Sequence, residues 1–480
     1  MKTHEKVIAD LSEIVGSNAC LTQANDTESY TTDYRKLYKG NALAVVLPAT
    51  TDEVSQVMTY CYKHSIQVVP QGGNTSLMGG AVPEADPKAE CIVLNLRRMS
   101  NVIGIDTIND TMTLEAGVTL SNARASAEDA NRLFPLRIGS EGSCQIGGNM
   151  ATNAGGTAVL RYGNMRDLVL GIEVVLPDGR IYSSLKGLRK DNTGYDLKNL
   201  FVGSEGTLGI ITGAVLKLMP KPQSVAVAFV AVESPAAAVE LLGLAKKMSG
   251  PLVTAFELVS ADAMELVCEY LGGITPPLSG QPSWMVLLEL TSTGSQEVLD
   301  TTMMEVLEAG MEAGLATDAA IASNLSNVQA FWKIREEISD AQTRTGGSIK
   351  CDVSVPLSSI PEFLNKAIAK VKAIAPKSRM VIYGHMGDGN VHFNPLRPKD
   401  QEAKVYLNDH YKSVSKEVDD LVHSLSGSIS AEHGIGVAKR DDLNLYKTNV
   451  ELELMWQIKR ALDPTNLLNP KKLLPEMAFQ

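Results

Sequence analysis

The sequence predicts an α+β protein built from two main domains. At 480 residues the chain is too long for one ordinary hydrophobic core. Before residue 220, apolar strand segments alternate with helical patterns and glycine-rich loops. Pro220-Lys221-Pro222 interrupts this alternation, because two prolines continue neither a helix nor a central strand. Four segments result: an N-terminal helical segment (1–39), a first domain (40–219), a second domain (220–450) and a C-terminal segment (451–480).

Composition and charge narrow the range of functions. Hydrophobic residues make up 44% of the chain and charged residues 21%, as in ordinary globular proteins. A net charge of −11 argues against nucleic acid and anionic membranes as partners. No segment has the roughly 20 apolar residues that span a bilayer. The six cysteines form no CxxC pair, and the start resembles no signal or transit peptide, so we expect a cytoplasmic location.

The first domain opens with a strand at 41–48 and a helix for which Thr51 is the expected N-cap. A second strand at 66–70 leads into the loop 71–80, which contains Gly72 and Gly73 followed by Asn, Thr and Ser. Glycines let the backbone N–H groups approach an anion, and hydroxyl groups add donors. The loop is neither GxGxxG nor GxxxxGK[ST], which removes the usual support for NAD or a nucleoside triphosphate. A plain glycine-rich turn is the alternative.

Three further loops have the same character, at 139–149, 151–157 and 203–212. Strands at 111–118 and 172–179 lie between them, the second ending in a Pro-Asp-Gly hairpin turn. Four such loops within about 140 residues could cover a ligand much longer than one phosphate. This favours a dinucleotide that lies extended across two α+β lobes.

The second domain alternates strands (225–232, 284–289) with helices (235–248, 296–313), which indicates an antiparallel sheet with helices on one face. The pattern at 331–339 is helical and places Arg335 and Ser339 on one side. Alternation at 350–356 places Lys350 on the same side of a strand as Asp352. Cationic side chains of this kind suit a carboxylate ligand. The alternative is a surface arginine paired with an acidic neighbour, Glu336 or Asp340.

Three of the seven histidines lie in two short glycine-rich loops. His385 and His392 bracket a turn between two apolar strand segments, so both imidazoles should return toward one spot. Glu432 and His433 are adjacent in a second loop, 430–436. Neutral imidazoles with one carboxylate suit zinc or a similar divalent cation. The alternative is that these are turn histidines hydrogen-bonded to the backbone.

The loop motifs resemble the FAD-binding domain of the vanillyl-alcohol-oxidase type that FAD-linked D-2-hydroxyacid dehydrogenases share. The resemblance implies a two-lobed FAD-binding domain and FAD bound across the four loops, with Asn469 contacting it from the C-terminal segment, which would pack back on this domain. Covalent attachment is not expected, because the first loop lacks histidine and Cys144 is read as a structural cysteine. The cofactor-binding residues it implies are Pro70, Gly72, Gly73, Asn74, Thr75, Ser76, Gly80, Gly139, Glu141, Gly142, Gly147, Gly148, Thr152, Asn153, Gly155, Gly156, Glu205, Gly206, Ile210, Ile211 and Asn469.

The second domain resembles the C-terminal domain of the same enzymes, and its spacing is similar to the D-2-hydroxyglutarate dehydrogenase branch. That resemblance implies oxidation of a D-2-hydroxyacid by hydride transfer to flavin N5, with a divalent metal, expected to be zinc, assisting loss of the hydroxyl proton. An electron-transfer flavoprotein or a quinone would reoxidise the flavin, and a homodimer is one option for the assembly. The roles implied are His385, His392 and Glu432 as metal ligands, His433 as catalytic base, and Arg335, Ser339, Lys350 and Asn394 as substrate contacts.

Three alternatives stay open at this point. The first is a D-lactate or glycolate dehydrogenase, which Arg335 and Lys350 disfavour because those substrates lack a second carboxylate. The second is a flavin reductase of cell-wall precursors on the same FAD fold, which the histidines and Glu432 disfavour. The third is a non-catalytic zinc-binding protein, which would purify without colour.

Overall fold

The computed structural model describes residues 4–86, 90–272 and 274–476, so the outermost ends of the predicted segments 1–39 and 451–480 lie outside the described residues. The chain forms two compact units. The first contains the chain up to Gly155, then Gly163–Pro220, and finally the chain from Glu432 onward. The second contains Gly156–Tyr162 and Lys221–Ala431. The last segment of the first unit thus begins at Glu432, whereas the sequence placed a boundary at 450.

The first unit holds two main sheets. The smaller has four strands in the order Cys20–Leu21, Ala44–Val46, Cys91–Asn95, Gln67–Gln71, of which the last three are parallel. The larger is antiparallel, with the order Val102–Asp106, Thr111–Glu115, Ile210–Lys217, Val169–Val175, Ile181–Ser184. A short pair joins Arg132–Leu133 to Met219–Pro220. The Pro-Asp-Gly hairpin is confirmed by the pairing of Val169–Val175 with Ile181–Ser184.

Helices of the first unit cover these sheets. The helix Thr51–His64 is capped by Thr50, whose hydroxyl accepts the N–H of Glu53, so the prediction of Thr51 as N-cap was wrong by one residue. Two adjacent threonines offer the same hydroxyl, and the sequence pattern cannot separate them. The helices are His4–Val15, Ala24–Thr31, Thr51–His64, Leu120–Asp129, Ile146–Ala151, Met165–Leu168, Lys198–Phe201, Leu443–Tyr446 and Asn449–Leu462.

The C-terminal helix Asn449–Leu462 is tied to the first unit by a buried lysine. Lys459 Nζ donates to the carbonyl oxygens of Thr207 (2.8 Å) and Leu468 (2.9 Å), and it pairs with Asp463 Oδ2 at 2.5 Å. Both charged side chains are almost fully buried, and burial lowers the pKa of Lys459. This contact fixes the segment that leads to Asn469.

The second unit is built on one antiparallel sheet of seven strands. Their order is Asp318–Ile321, Ser224–Val232, Trp284–Ser292, Val253–Ser260, Arg379–Gly384, Asn390–Leu396, Cys351–Ser354. Its helices are Val159–Tyr162, Pro235–Ser249, Ala261–Leu271, Gln296–Glu312, Leu325–Glu336, Ile338–Thr345, Ile360–Ile374 and Ala403–Ser424. The predicted continuous helix at 331–339 is divided at Glu337, a position that carries neither proline nor glycine.

Both faces of this sheet are covered, which corrects the expectation of helices on one face. Every residue of the central strand Val253–Ser260 is buried, and successive strand residues point to opposite faces. Helices Ala261–Leu271 and Leu325–Glu336 contribute to one apolar cluster on the sheet. Pro235–Ser249 and Gln296–Glu312 lie outside that cluster and contact the same strands. The near-continuous apolar run of Ser224–Val232 is the sequence signal for this double burial.

None of the helices within residues 4–86, 90–272 and 274–476 is both long enough and apolar enough to cross a bilayer.

Candidate active site

The two histidines sit on a hairpin of the second unit. Strands Arg379–Gly384 and Asn390–Leu396 pair antiparallel, and a short 3-10 turn joins them, which confirms the predicted strand, turn and strand. His385 follows the first strand directly, and His392 pairs with Tyr383 across the hairpin. The two ring centroids lie 5.6 Å apart with planes at 78°. Both side chains are buried, so their ring nitrogens need hydrogen-bond partners other than bulk solvent.

A buried carboxylate lies beside Nδ1 of each imidazole. His385 Nδ1 is 2.9 Å from Glu257 Oε1, and His392 Nδ1 is 3.6 Å from Asp352 Oδ1. Asp352 is itself held by Asn390, whose Nδ2 donates to it at 2.9 Å. A carboxylate at one ring nitrogen fixes the tautomer and orients the other nitrogen toward a metal. At Nδ1 of each ring the neighbouring group is thus a side-chain carboxylate and not a backbone carbonyl.

Glu432 follows the last residue of the second unit. The N–H of Ala431 donates to the carbonyl oxygen of Asp352 at 3.3 Å, which anchors the chain next to the hairpin. His385, His392 and Glu432 each offer one ligand atom, and these atoms all lie within 4.8 Å of one another. Asp352, Glu432 and His433 meet the same criterion. Two imidazoles and a carboxylate are a donor set that fits a divalent cation such as zinc.

Arg335 is paired, but with neither of the acidic neighbours considered from sequence. Its Nε donates to Glu257 Oε2 at 2.8 Å, and Nη2 lies 2.6 Å from the same oxygen. Its guanidinium also stacks 4.8 Å above the ring centre of Tyr383. These contacts with Glu257 use Nε and Nη2, which leaves the N–H donors of Nη1 for a further carboxylate.

Glu257 is fully buried between these two cationic or protonatable groups. Burial alone would disfavour its charged form, but the charges of His385 and Arg335 and their hydrogen bonds outweigh it and lower the pKa of Glu257 to about 2. Glu257 is therefore ionised at neutral pH and lies between His385 and Arg335.

The other predicted substrate contacts differ in their surroundings. Ser339 is exposed and lies on a different helix from Arg335, because the helix is divided at Glu337. Lys350 is half-buried, and its Nζ lies 3.4 Å from Thr343 Oγ1. Asn394 is buried, and its amide accepts the N–H of Cys351 (3.0 Å) and donates to Gln342 Oε1 (3.2 Å). The structure therefore gives Asn394 protein partners at both ends of its amide.

The predicted cofactor loops lie in the first unit and pack closely against one another. A Cβ on Gly73 would lie 2.0 Å from the carbonyl oxygen of Ser143, so only glycine allows the first two loops to meet there. Conversely, Cβ atoms on Gly139, Gly142 and Gly148 would meet nothing within 4 Å, which leaves open space beside the second loop. This combination of close loop packing and open space fits a ligand that lies along the loops.

Unpartnered buried amide oxygens mark the same region. Asn74 Oδ1, Gln145 Oε1 and Asn469 Oδ1 are buried and have no hydrogen-bond partner among the described residues. Asn469 Nδ2 donates to the carbonyl oxygens of Gly80 (3.0 Å) and Glu205 (2.9 Å), which brings the C-terminal segment to two of the loops. Buried amide oxygens need a hydrogen-bond donor, and the hydroxyl and N–H groups of FAD can supply one.

Two acidic residues of the predicted cofactor set have protein partners instead. Glu141 forms an ion pair with Arg124. Glu205 accepts the N–H groups of Ile435 (2.7 Å) and Gly436 (2.8 Å), in the loop that also carries Glu432 and His433. The remaining predicted residues occupy the four loops and their flanking strands: Pro70, Gly72, Thr75, Ser76, Gly147, Thr152, Asn153, Gly155, Gly156, Gly206, Ile210 and Ile211.

Sequence reasoning gave no role to Glu257, Asp352 and Gln342. Glu257 is the one charged residue in the buried strand Val253–Ser260. A single carboxylate in an otherwise uncharged strand is the sequence feature that could have indicated a functional role, because charged residues are rarely buried without a partner. Its partners lie 78 and 128 positions further along the chain, so local spacing could not identify them.

Comparison with known proteins identifies the class. Two protein-family models match, one described as a FAD binding domain over residues 42–184 and one as the C-terminal domain of FAD linked oxidases over residues 221–473. The chain therefore belongs to the FAD-linked oxidase family, a family of flavin-dependent oxidoreductases, and the FAD-binding domain supports FAD as its cofactor.

Individual relatives extend over nearly the whole chain. The mitochondrial D-2-hydroxyglutarate dehydrogenase of Arabidopsis thaliana is 37% identical over 475 residues, covering 99% of this chain and 82% of its own. The protein of the same name from Danio rerio is 38% identical over 456 residues, covering 95% and 83%. The structure of substrate-bound p-cresol methylhydroxylase superposes with a TM-score of 0.76 at 19% identity, covering 98% of this chain and 97% of that one. The predicted α+β fold of the vanillyl-alcohol-oxidase type is confirmed.

The expectation of a cytoplasmic location was wrong by the same comparison, since both relatives carry "mitochondrial" in their names. All six cysteines are free thiols. Free thiols do not distinguish one reducing compartment from another, so the cysteine pattern could not identify the location.

Proposed function

We propose that this protein is an FAD-dependent dehydrogenase that oxidises a D-2-hydroxyacid, with D-2-hydroxyglutarate as the substrate and 2-oxoglutarate as the product. The observation that carries the proposal is the presence of both required groups in one unit. The His385 and His392 pair suits the hydroxyl end of the substrate, and the buried Arg335 suits a second carboxylate. The names of the relatives from Arabidopsis and Danio support the same substrate.

The metal proposed for this reaction is a divalent cation, with zinc as the first candidate. His385, His392 and Glu432 would hold it, since their ligand atoms lie within 4.8 Å of one another. Such a cation, when bound, lowers the pKa of a hydroxyl group and orients it. Glu257, at hydrogen-bond distance from His385, would keep that imidazole in position for this purpose, and Asp352 lies 3.6 Å from Nδ1 of His392.

His433 is the proposed base. It neighbours Glu432 in sequence and is half-buried, so it can reach a substrate held there without being one of the three ligands. An imidazole takes up a proton near neutral pH, which suits removal of the hydroxyl proton at C2. Non-covalent FAD, when bound in the first unit, supplies the hydride acceptor, and an electron-transfer flavoprotein or a quinone would receive the electrons. Cys144 is buried, and burial raises the pKa of its thiol, which supports the absence of a covalent flavin link.

Arg335 and Lys350 are proposed to bind the distal carboxylate of the substrate. Arg335 offers Nη1, and the half-buried Lys350 offers an ammonium group. Ser339 and Asn394 complete the proposed contacts, with Asn394 acting chiefly by ordering the strand Cys351–Ser354 through Cys351. Fixing both ends of the diacid aligns C2 for reaction.

The deciding measurement is anaerobic bleaching of the visible flavin absorbance in purified, zinc-supplied protein. D-2-hydroxyglutarate should bleach it quickly, D-lactate and D-malate should bleach it more slowly, and L-2-hydroxyglutarate should act more slowly or not at all. Bleaching mainly by D-lactate would keep the hydroxyacid reaction and remove the proposed role of Arg335 and Lys350. Yellow protein that none of these compounds bleaches would refute the proposal.

A further inference from the structure

We infer that Glu257 is a positioning residue that holds the metal ligand His385 and the substrate-binding Arg335 as one unit. This inference rests on the proposed function and deepens it. Its basis is that one side chain contacts both groups, since Oε1 lies 2.9 Å from His385 Nδ1 and Oε2 lies 2.8 Å from Arg335 Nε.

The backbone of Glu257 is held rigidly. It belongs to the strand Val253–Ser260, which lies between Trp284–Ser292 and Arg379–Gly384. Glu257 is opposite Leu287 on one side, and the next residue, Leu258, is opposite Gly384 on the other. Gly384 immediately precedes His385, so the carboxylate and the imidazole are supported by adjacent paired strands. A strand position of this kind can hold a site more accurately than a loop.

The two oxygens of Glu257 are divided between the two partners. Oε1 faces His385, while Oε2 serves both Nε and Nη2 of Arg335. Neither oxygen is directed to a third group among the described residues, so the carboxylate itself is not a substrate contact. Its effect is to set which nitrogen of His385 faces the metal and which edge of Arg335 faces the substrate.

The buried charges of Glu257 and Arg335 make each side chain depend on the other. Glu257 is fully buried, and a buried carboxylate is stable only when it is paired and hydrogen-bonded. The guanidinium of Arg335 is also buried and would lack a counter-charge without Glu257. Loss of Glu257 should therefore disturb the metal site and the diacid site together. If a different residue positioned each site, loss of one residue would disturb only one of them.

The test uses the full-length, FAD-loaded protein and the variant Glu257→Gln, with Glu289→Gln as the matched control. Glu289 is opposite Ala255 on the neighbouring strand and accepts a hydrogen bond from Trp332 on the same helix as Arg335. Zn²⁺ affinity is measured by competition with a chelator of known affinity. The KM for D-2-hydroxyglutarate is compared with the KM for D-lactate, which has no distal carboxylate.

Glu257→Gln should bind Zn²⁺ about 10- to 100-fold more weakly. Its KM for D-2-hydroxyglutarate should rise by a larger factor than its KM for D-lactate. Glu257→Asp should recover part of both losses, and Glu289→Gln should change neither quantity. Unchanged Zn²⁺ affinity, or an unchanged ratio of the two KM values in folded Glu257→Gln, would overturn the inference.

A second variant covers the case in which Glu257→Gln does not fold. Glu257→Gln with Arg335→Met removes the unpaired buried guanidinium and leaves His385 without its carboxylate. This double variant should still bind Zn²⁺ about 10- to 100-fold more weakly, and wild-type affinity would overturn the inference. Because Zn²⁺ binding needs no turnover, this measurement decides the role of Glu257 even if D-2-hydroxyglutarate fails to bleach the wild-type flavin.

Discussion

The carboxylate of Glu205 accepts the backbone N–H of Ile435 at 2.7 Å, although the two residues lie 230 positions apart in the chain. The second carboxylate oxygen accepts the N–H of Gly436 at 2.8 Å. Glu205 lies in the loop between the helix Lys198–Phe201 and the strand Ile210–Lys217, with a left-handed backbone at φ 50°. One side chain thus holds the loop that also carries Glu432 and His433.

Replacing Glu205 with Gln should loosen that loop. Glutamine offers only one oxygen, so one of the two N–H groups loses its acceptor, at a cost of about 1–3 kcal/mol. We expect a lower midpoint of thermal unfolding and less bound Zn²⁺ per protein after dialysis, with FAD retained. The exposed Glu240→Gln serves as the control. Wild-type zinc content and thermal midpoint in Glu205→Gln would show that the loop does not depend on this contact.

Replacing Glu432 with Gln should remove the metal while leaving the flavin in place. The amide lacks the charge that a divalent ligand set needs, and the FAD loops of the first unit do not include this residue. Zinc content by elemental analysis and turnover should fall together, and the flavin spectrum should persist. Glu453→Gln, on an exposed helix face, is the control. Normal turnover in metal-free Glu432→Gln would refute the assignment of this ligand.

Replacing Lys459 with Met should destabilise the first unit strongly. The variant leaves Asp463 buried without its counter-charge and deprives the carbonyl groups of Thr207 and Leu468 of a donor. Breaking a buried ion pair in this way costs about 3–5 kcal/mol. Thermal unfolding of the FAD-loaded protein should show a clear fall in midpoint, whereas the exposed Lys412→Met should not. Equal midpoints for the two variants would contradict a stabilising role for the buried contacts of Lys459.

Replacing Lys472 with Met should stabilise the protein at pH 7 and lose this effect at alkaline pH. Burial, opposed by the nearby Glu84, lowers the pKa of Lys472 from 10.5 to about 8. Below pH 8 the folded protein therefore carries a poorly solvated ammonium, at a cost on the order of 3 kcal/mol. Between pH 8 and 10.5 the folded state releases this proton before the unfolded state does, so the cost disappears.

This pH dependence is checked by measuring the thermal unfolding midpoints of the wild type and Lys472→Met at pH 7 and at pH 10. The difference in favour of the variant should be largest at pH 7 and small at pH 10. The neighbouring Lys471→Met is the control, because Lys471 is paired with Glu84 at 2.8 Å and its pKa is raised. A gain for Lys472→Met that grows with pH would contradict the depressed pKa.

Much of the structure could be predicted from local sequence patterns. The hairpin that bears His385 and His392 was predictable because glycine, aspartate and asparagine mark the turn and apolar residues mark both strands. The four loops of the first unit were predictable for a similar reason. The division of the helix at Glu337 was not, because no proline or glycine marks it.

The ion-pair partner of Arg335 shows most clearly what could not be predicted from the sequence. Its acidic neighbours Glu336 and Asp340 were the natural candidates by helical spacing. The observed partner is Glu257, whose position depends on the order of strands in the seven-stranded sheet. Strand order is a long-range property that no local spacing encodes, and the same is true of the pairing between Glu257 and His385.

The discontinuity of the first unit constrains how the protein is made. About 210 residues of the second unit are synthesised between Pro220 and Glu432, which takes roughly 10–40 s at ordinary elongation rates. Until Lys459 and Asn469 emerge from the ribosome, the loops around Thr207 and Gly80 lack the groups that hold them. These contacts of the first unit can form only after the C-terminal segment has been synthesised, so we expect FAD to bind after translation is complete.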